Sequence, residues 1–246
     1  MFLQLKDLSK SFGSVAVLRG ASLSVDPHRT VAVVGRSGSG KTTLLRIIAG
    51  LEHEDAGEVR LDGALLNGMT PERRGVVYLS QEPLLFPHLD VHENVAFGLR
   101  LRRVAEAEIR ARVGTMLDEL GLGGLSRRRP ESLSGGQRQR AAFGRALIVG
   151  PRLMLLDEPF GALDQDTRAA MQELFSRVAA HHRITSLFVT HDLKEAMAVG
   201  DRFAHLNDGA LKAYPDAAAF IDDPGTGALA EIRYWTALGD RIEDKG

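Results

Sequence analysis

An eight-residue segment near the N-terminus has the residue types and the spacing that bind phosphate. Residues 35–42, GRSGSGKT, satisfy the pattern G-x-x-x-x-G-K-[ST] between an apolar run and a helix-forming stretch. Glycines let the backbone fold tightly around an oxyanion, so that several N–H groups point inward, and the following helix adds the positive end of its dipole. Lys41 would lie between the β and γ phosphates, and the Thr42 hydroxyl would be a ligand of magnesium. The residues expected at the nucleotide are Gly35, Ser37, Gly38, Ser39, Gly40, Lys41, Thr42 and Thr43.

Two adjacent acids, Asp157 and Glu158, follow the apolar run 153–156. Successive side chains leave a strand in opposite directions, so Asp157 is expected to face the hydrated magnesium and Glu158 the attacking water. Taken alone, an apolar run that ends in two acids also describes a solvated strand end. The phosphate segment favours the other interpretation, a site that hydrolyses a nucleotide.

The elements that must position these residues follow from the hydrophobic pattern. Residues 1–30 and 58–80 have the alternation and turn signals of antiparallel strands, and residues 31–34 form a short buried strand. Residues 42–51 are predicted to be helical, as is most of 93–150. After Pro151 the pattern is strand, helix, strand, which is typical of a parallel sheet. The sequence therefore predicts an α/β protein with a helical insert.

Composition excludes several classes of protein. The chain has 246 residues, 44% hydrophobic and 26% charged, with a formal net charge of -1. A near-neutral chain has no general basic field, so nucleic acid is not an expected partner. The absence of cysteine excludes a disulfide framework, a thiolate zinc site and a cysteine nucleophile. No apolar run has the length of a secretion signal or of a membrane-spanning helix, so if the protein works at a membrane, another chain spans it.

A third motif, Leu133-Ser134-Gly135-Gly136-Gln137, is the most specific one. A serine and two glycines that open a helix form a second anion site of N–H groups. Together the three motifs resemble the nucleotide-binding subunits of ATP-binding cassette transporters over most of residues 1–215. The resemblance implies a P-loop NTPase with a RecA-like core, an antiparallel β subdomain and an inserted α-helical subdomain. Residues 1–82 and 150–215 would form the ATP-binding core with the β subdomain, 83–149 the helical signature subdomain and 216–246 a C-terminal tail.

The same resemblance implies a role for each matching residue, with ATP and Mg²⁺ as cofactors. Two copies would pack head to tail, so that Ser134, Gly135, Gly136 and Gln137 of one copy contact the nucleotide at Lys41 of the other. Asp164 would lie in a loop that crosses this interface. Phe12, which composition alone would place in a core, would stack on adenine, with Val17 as an apolar contact.

The resemblance also implies the catalytic set. Glu158 would be the general base, and His191 would contact the γ phosphate and orient Glu158, although a lone histidine after a strand is usually structural. Gln81 would reach the magnesium and the water, so the catalytic residues would be Glu158, His191, Lys41 and Gln81, and the metal ligands Thr42, Gln81 and Asp157.

Residues 81–99 resemble those of bacterial importers for inorganic anions, metals, polyamines, thiamine or sugars. That implies a separate transmembrane permease, an extracytoplasmic solute-binding protein and a cytoplasmic location, peripheral on the inner face of the membrane. Leu84, Leu85 and Phe86, expected to be exposed, would receive a permease helix, with a purely structural role as the alternative. An ATPase that drives mechanical work, such as lipoprotein extraction or cell-envelope signalling, would share every catalytic residue.

Trp235 is predicted to be a packing residue, and no further regulatory domain is expected after the tail.

Overall fold

The computed structural model of this chain describes residues 1–243. It forms two sheets and a set of helices, whose bounds are β1 (Leu3–Phe12), β2 (Val15–Val25), β3 (Thr30–Val34), α1 (Lys41–Ala49), β4 (Ala56–Leu61), β5 (Ala64–Leu65), β6 (Val76–Leu79), α2 (Val91–Leu101), α3 (Glu106–Glu119), α4 (Gly135–Leu147), β7 (Leu153–Asp157), α5 (Gln165–His181), β8 (Ser186–Thr190), α6 (Leu193–Val199), β9 (Arg202–Asn207), β10 (Ala210–Tyr214), α7 (Ala217–Asp222) and α8 (Ala228–Glu243).

The larger sheet has six strands in the order β10-β9-β3-β8-β7-β6. All neighbouring pairs from β9 to β6 are parallel, and β10 is antiparallel to β9. Every residue of β3, β7 and β8 is buried, which explains why these strands are nearly continuous apolar runs. Because the strands are parallel, their carboxyl ends meet at one edge of the sheet. The phosphate loop, Gln81, the acid pair and His191 follow those ends.

The smaller sheet is antiparallel, with the order β2-β1-β4-β5. It packs with α1 against one face of the parallel sheet, through side chains such as Val31, Val33 and Leu155. The opposite face, which includes Ala32, Val34 and Leu156, packs on the helices that follow β6. Strand residues alternate between the two faces, so one parallel sheet supports two separate apolar cores.

The predicted fold is confirmed in its α/β class, its antiparallel β subdomain and its helical insert. Helices α2, α3 and α4 all lie within residues 83–149, although the bounds of the three subdomains stay predictions. Trp235 is a correction, because its side chain is 44% exposed on α8 and does not belong to a core. Its ring instead lies 3.5 Å from the Lys194 ammonium, a cation–π contact at the surface. Among residues 1–243, no helix has both the length and the apolar composition needed to cross a bilayer.

Candidate active site

The phosphate loop joins β3 to α1 through two glycines in the left-handed region. Gly38 has φ 80° and Gly40 φ 101°, backbone angles that other residues adopt at a cost. Gly35 permits a close approach, because a Cβ there would lie 2.4 Å from the carbonyl oxygen of Leu206. Helix α1 begins without a side-chain cap and has no acid in its first turn. Its first N–H groups are therefore available to an anion.

Lys41 and Ser39 give this loop the polar groups that a phosphate requires. Lys41 Nζ donates to the carbonyl oxygens of Gly35 at 2.8 Å and Arg36 at 3.0 Å. Burial lowers the pKa of the Lys41 ammonium, and the Glu158 carboxylate opposes that lowering. Within the part of the chain that is described, Ser39 Oγ is buried without a hydrogen-bond partner. A phosphate oxygen would satisfy both groups, so the loop fits the predicted ligand.

Asp157, the last residue of β7, is held by hydrogen bonds to both of its carboxylate oxygens. Thr42 Oγ1 donates to Oδ1 at 3.1 Å, and Tyr78 Oη donates to Oδ2 at 2.7 Å. Tyr78 was absent from the sequence prediction. It lies opposite Leu155 in the parallel register, which places it on the same sheet face as Asp157. Burial and then the Asp157 carboxylate raise the pKa of Tyr78, so its hydroxyl keeps its proton and donates.

Glu158 lies just beyond the strand, where the chain turns sharply. Its φ is 46°, a left-handed conformation that is uncommon for a residue with a side chain. Its carboxylate lies 3.6 Å from Lys41 Nζ and 3.1 Å from His191 Nδ1. Glu158 and Asp157 do contact different groups, but strand alternation is the wrong explanation. The turn at Glu158 aims its side chain at Lys41 and His191.

One cleft of about 450 Å³ contains most of the predicted site. Its lining residues are Phe12, Val17, Ser37, Gly38, Gly40, Lys41, Thr42, Thr43, Gln81, Asp157 and Glu158. Phe12 is 49% exposed at the end of β1, so it is not part of a core, and the Lys10 ammonium lies over its ring at 5.1 Å from the centroid. His191 joins this group through Glu158, and Gly35 and Ser39 lie within the loop itself.

The signature residues lie away from this cleft in their own chain. Ser134 caps α4: its Oγ accepts from the Gln137 N–H at 3.2 Å, and its N–H donates to Gln137 Oε1 at 2.9 Å. Glycines 135 and 136 pack closely on the start of α5, where a Cβ at Gly136 would lie 2.4 Å from Thr167 Cγ2. Asp164 caps α5, and the N–H of Thr167 lowers its pKa. The signature and Asp164 therefore form one surface, separate from the phosphate loop.

A partly buried network that sequence analysis missed connects this surface to the neighbours of His191. Arg168 Nη2 donates to the Leu163 carbonyl at 3.0 Å, and its guanidinium lies 3.6 Å from both Asp192 and Glu195. Glu195 is buried, accepts a 2.7 Å hydrogen bond from Thr190 Oγ1 and has its pKa raised by burial. Arg168 thus joins the loop before Asp164 to the residues on both sides of His191.

The segment after Gln81 differs in part from expectation. Leu84 is 65% exposed, but Leu85 packs against the core and Phe86 packs on Phe97, with ring centroids 4.5 Å apart. The buried Asn94 holds the segment, accepting from Phe86 N–H at 2.8 Å and donating to three carbonyl oxygens, those of Phe86, Leu89 and Asp90. The prediction that all three apolar residues are exposed was wrong, because two of them anchor the segment.

Comparison with known proteins agrees with this geometry. The family model described as ABC transporter matches residues 18–161, which is more than half of the chain. The matched range contains all three motifs, whereas Phe12, Asp164 and His191 lie outside it. This chain belongs to the ABC transporter family. The resemblance inferred from the motifs is therefore confirmed, together with the P-loop fold and the binding of ATP.

Curated relatives cover nearly all of the chain. A sulfate/thiosulfate import ATP-binding protein CysA of Methylococcus capsulatus is 46% identical over 230 residues, 92% of this chain and 66% of that protein. Proteins of the same name from Xanthomonas campestris and Chromobacterium violaceum are each 45% identical and cover 92% and 97% of this chain. The chain spans about two thirds of the length of these relatives, between 66% and 70%.

Proposed function

We propose that this chain is the ATP-hydrolysing subunit of a bacterial importer and that it works as a head-to-tail pair with a second copy. The observation that carries the proposal is the position of Glu158, between the phosphate-loop lysine at 3.6 Å and His191 at 3.1 Å. A carboxylate at that place borders the cleft in which the terminal phosphate of ATP would lie.

The residues of the chain suit an in-line attack of water on the γ phosphorus. Glu158 would accept a proton from the water as its oxygen bonds to phosphorus and the bond to the bridging oxygen breaks, which yields ADP and phosphate. His191 Nδ1 would orient the Glu158 carboxylate. Lys41 and the loop N–H groups would hold the charge that develops on the phosphate oxygens.

The residues present also fit a magnesium ion. Thr42 Oγ1 and Asp157 Oδ1 lie 3.1 Å apart, and Gln81 borders the same cleft, so the donors are the oxygens that this ion prefers. Thr42, Asp157 and Gln81 would hold it. When bound, magnesium would neutralise charge on the β and γ phosphates.

The separation of the signature from the cleft supports a pair of chains. Ser134, Gly135, Gly136 and Gln137 present the start of α4 on a surface that does not line their own cleft. A second copy, turned head to tail, would bring this surface to the phosphates held at Lys41. ATP would then hold the two copies together, and hydrolysis would release them.

The catalytic role of Glu158 is tested by Glu158→Gln, with Glu173→Gln, an exposed glutamate on α5, as the matched control. We expect the Glu158 variant to bind ATP normally and to lose about 10²- to 10⁴-fold in steady-state turnover, the range for loss of a general base. The control should retain wild-type turnover. Near-normal phosphate release by Glu158→Gln would remove Glu158 from this role.

Mixing two inactive variants tests the composite site. In a pair formed by Lys41→Ala and Ser134→Arg, one site carries both defects and the other carries neither. We therefore expect ATPase activity to appear on mixing, although each variant alone is inactive. If both halves of a site came from one chain, the mixture would stay inactive, and the head-to-tail arrangement would be refuted while the role of Glu158 stood.

The names of the relatives, which are import ATP-binding proteins for sulfate or thiosulfate, support uptake of an inorganic oxyanion. The chain would drive a separate permease that works with a solute-binding protein. The same names favour import over the alternative of mechanical work at the membrane. Exposed Leu84, on a segment held by Asn94, supports docking of a permease helix there, which would place the chain on the inner face of the membrane.

Affinity capture of the tagged chain from detergent-solubilised host membranes tests whether its partner is an import permease. Recovery of a multi-span permease supports import, and capture of a partner with few spans and a large extracytoplasmic domain would overturn it.

A further inference from the structure

Three side chains with metal-binding atoms converge where α3 and α5 end, away from the nucleotide cleft. Glu119 is the last residue of α3, His181 is the last of α5, and His182 follows it. His182 Nε2 lies 2.8 Å from Glu119 Oε2, and His181 Nε2 lies 4.0 Å from Glu119 Oε1. The three candidate ligand atoms all lie within 4.8 Å of one another. One ion could therefore contact all three after small side-chain rotations.

The end of α5 explains how two adjacent histidines can share a target. Consecutive residues of a continuing helix point about 100° apart, which would separate the two imidazoles. Here the helix ends at His181, and the chain turns at Arg183, whose φ is 51°. The two rings are consequently close, with centroids 4.9 Å apart and planes at 89°. Their Nε2 atoms approach the Glu119 carboxylate from two directions.

Two imidazole nitrogens and one carboxylate oxygen form the donor set of a divalent transition metal. Zn²⁺ binds such groups at roughly 2.0–2.2 Å in tetrahedral geometry, which places neighbouring ligand atoms about 3.3 Å apart. The observed separations, 2.8 Å from His182 Nε2 to Glu119 Oε2 and 4.0 Å from His181 Nε2 to Glu119 Oε1, lie on either side of that value. Mg²⁺ and Ca²⁺ require several oxygens, and this cluster offers a single carboxylate.

The residues around the cluster also favour a transition metal over Mg²⁺ or Ca²⁺. The side chains of His181, His182 and Glu119 are 71%, 35% and 28% exposed, so an ion can enter from solvent and keep water as its fourth ligand. Arg177 borders the cluster beside His181, and Arg112 borders it beside His182. These cations would repel an ion held by charge alone, whereas coordination by neutral imidazole adds a bond that does not depend on net negative charge.

We propose that Glu119, His181 and His182 form a binding site for a divalent transition-metal ion of the zinc class, which joins the end of α3 to the end of α5. Because α3 belongs to the helical insert and α5 follows a strand of the parallel sheet, a bound ion would cross-link the two. The site is independent of the nucleotide cleft and of the function proposed above.

Calorimetric titration of the full chain with ZnCl₂, without nucleotide, tests this site. We expect one ion per chain with micromolar affinity, and no competition from MgCl₂. The double variant His181→Ala/His182→Ala should lose more than the roughly 10–100-fold that the loss of an outer-shell partner costs. His53→Ala, which removes an exposed histidine elsewhere, is the matched control and should bind as wild type.

Bound Co²⁺ gives a second measurement that does not depend on heat. Its visible absorption should show tetrahedral ligation in the wild type and in His53→Ala and should disappear in the double variant. Thermal unfolding without metal verifies that each variant is folded. Zinc binding that the double variant retains, or no binding by the wild type up to about 1 mM, would overturn the proposal.

Discussion

The hydrogen bond between Tyr78 and Asp157 allows a sharp test of how this site holds the carboxylate that we propose as a magnesium ligand. Tyr78 Oη donates to Asp157 Oδ2 at 2.7 Å, while Thr42 Oγ1 donates to the other oxygen. Tyr78→Phe keeps the aromatic ring on β6 but removes the hydroxyl. The Asp157 carboxylate would then keep only one of its two hydrogen-bond donors, the Thr42 hydroxyl. We expect the carboxylate to lose its fixed orientation and the affinity for magnesium to fall.

The size of the effect follows from the contact. A hydrogen bond to a charged group contributes about 1.5–3 kcal/mol. Tyr78 is only half-buried and Asp157 keeps its bond to Thr42, so we expect the lower end, about 1.5 kcal/mol. The midpoint of thermal unfolding should fall by about 3–6 °C for a chain of this size. If the same free energy is lost from metal binding, the half-saturating magnesium concentration rises by about tenfold.

The assay measures ATPase rate against magnesium concentration at saturating ATP, together with thermal unfolding. Tyr214→Phe is the matched control, because Tyr214 Oη donates to Asp223 Oδ2 at the same 2.7 Å in a region outside the cleft. Both variants should unfold at lower temperature than the wild type. Only Tyr78→Phe should require more magnesium. Its kcat at saturating magnesium should stay close to wild type, because every group that we propose to contact phosphate remains.

An unchanged magnesium requirement in Tyr78→Phe, with a loss of stability like that of Tyr214→Phe, would refute this reasoning. The hydrogen bond would then contribute to folding alone. A large loss of kcat at saturating magnesium would refute it in another way, because it would give Tyr78 a direct part in the reaction.

Three further predictions concern contacts outside the cleft. Arg168→Leu should lower the free energy of unfolding, measured in urea, by about 1–3 kcal/mol, because the buried Glu195 loses its cation and the Leu163 carbonyl loses a donor. Adding Glu195→Gln to this variant should recover part of the lost stability. Because burial raises the pKa of Glu195 above its ordinary 4.5, its contribution to stability is present below pH 4.5 and is lost as pH rises through the folded-state value. The stability of Glu195→Gln relative to wild type should therefore rise with pH over that interval, and a relative stability that falls with pH would contradict the assignment. Asn94→Ala should lower stability by about 1–3 kcal/mol and speed hydrogen exchange at Phe86 and Leu89, whose backbone groups it holds, and unchanged exchange there would show that the segment is held by its apolar contacts.

The features that the sequence predicted correctly depend on neighbouring residues. The phosphate loop is one example, because residues 35–42 form it with their own backbone and the positive φ angles fall on glycines. The start of a helix at Ser134 is another, and its local cause is a capping box with Gln137, three residues further along the same helix. The strands β3, β7 and β8 were visible as apolar runs because both faces of a parallel sheet are buried.

The contacts that sequence analysis missed join residues far apart along the chain. Tyr78 reaches Asp157 only because β6 and β7 pair in one register, and a shift by one residue would turn the hydroxyl to the other face. The packing of Phe86 on Phe97 and the exposure of Trp235 were likewise decided by the tertiary structure, since an apolar residue type is the same in a core and at a surface. Glu119 and His182 meet because two helices end at the same place. The sequence by itself determined the local chemistry of the loops, and the tertiary structure decided which distant side chains position that chemistry, because strand register and helix packing have no signal in neighbouring residues.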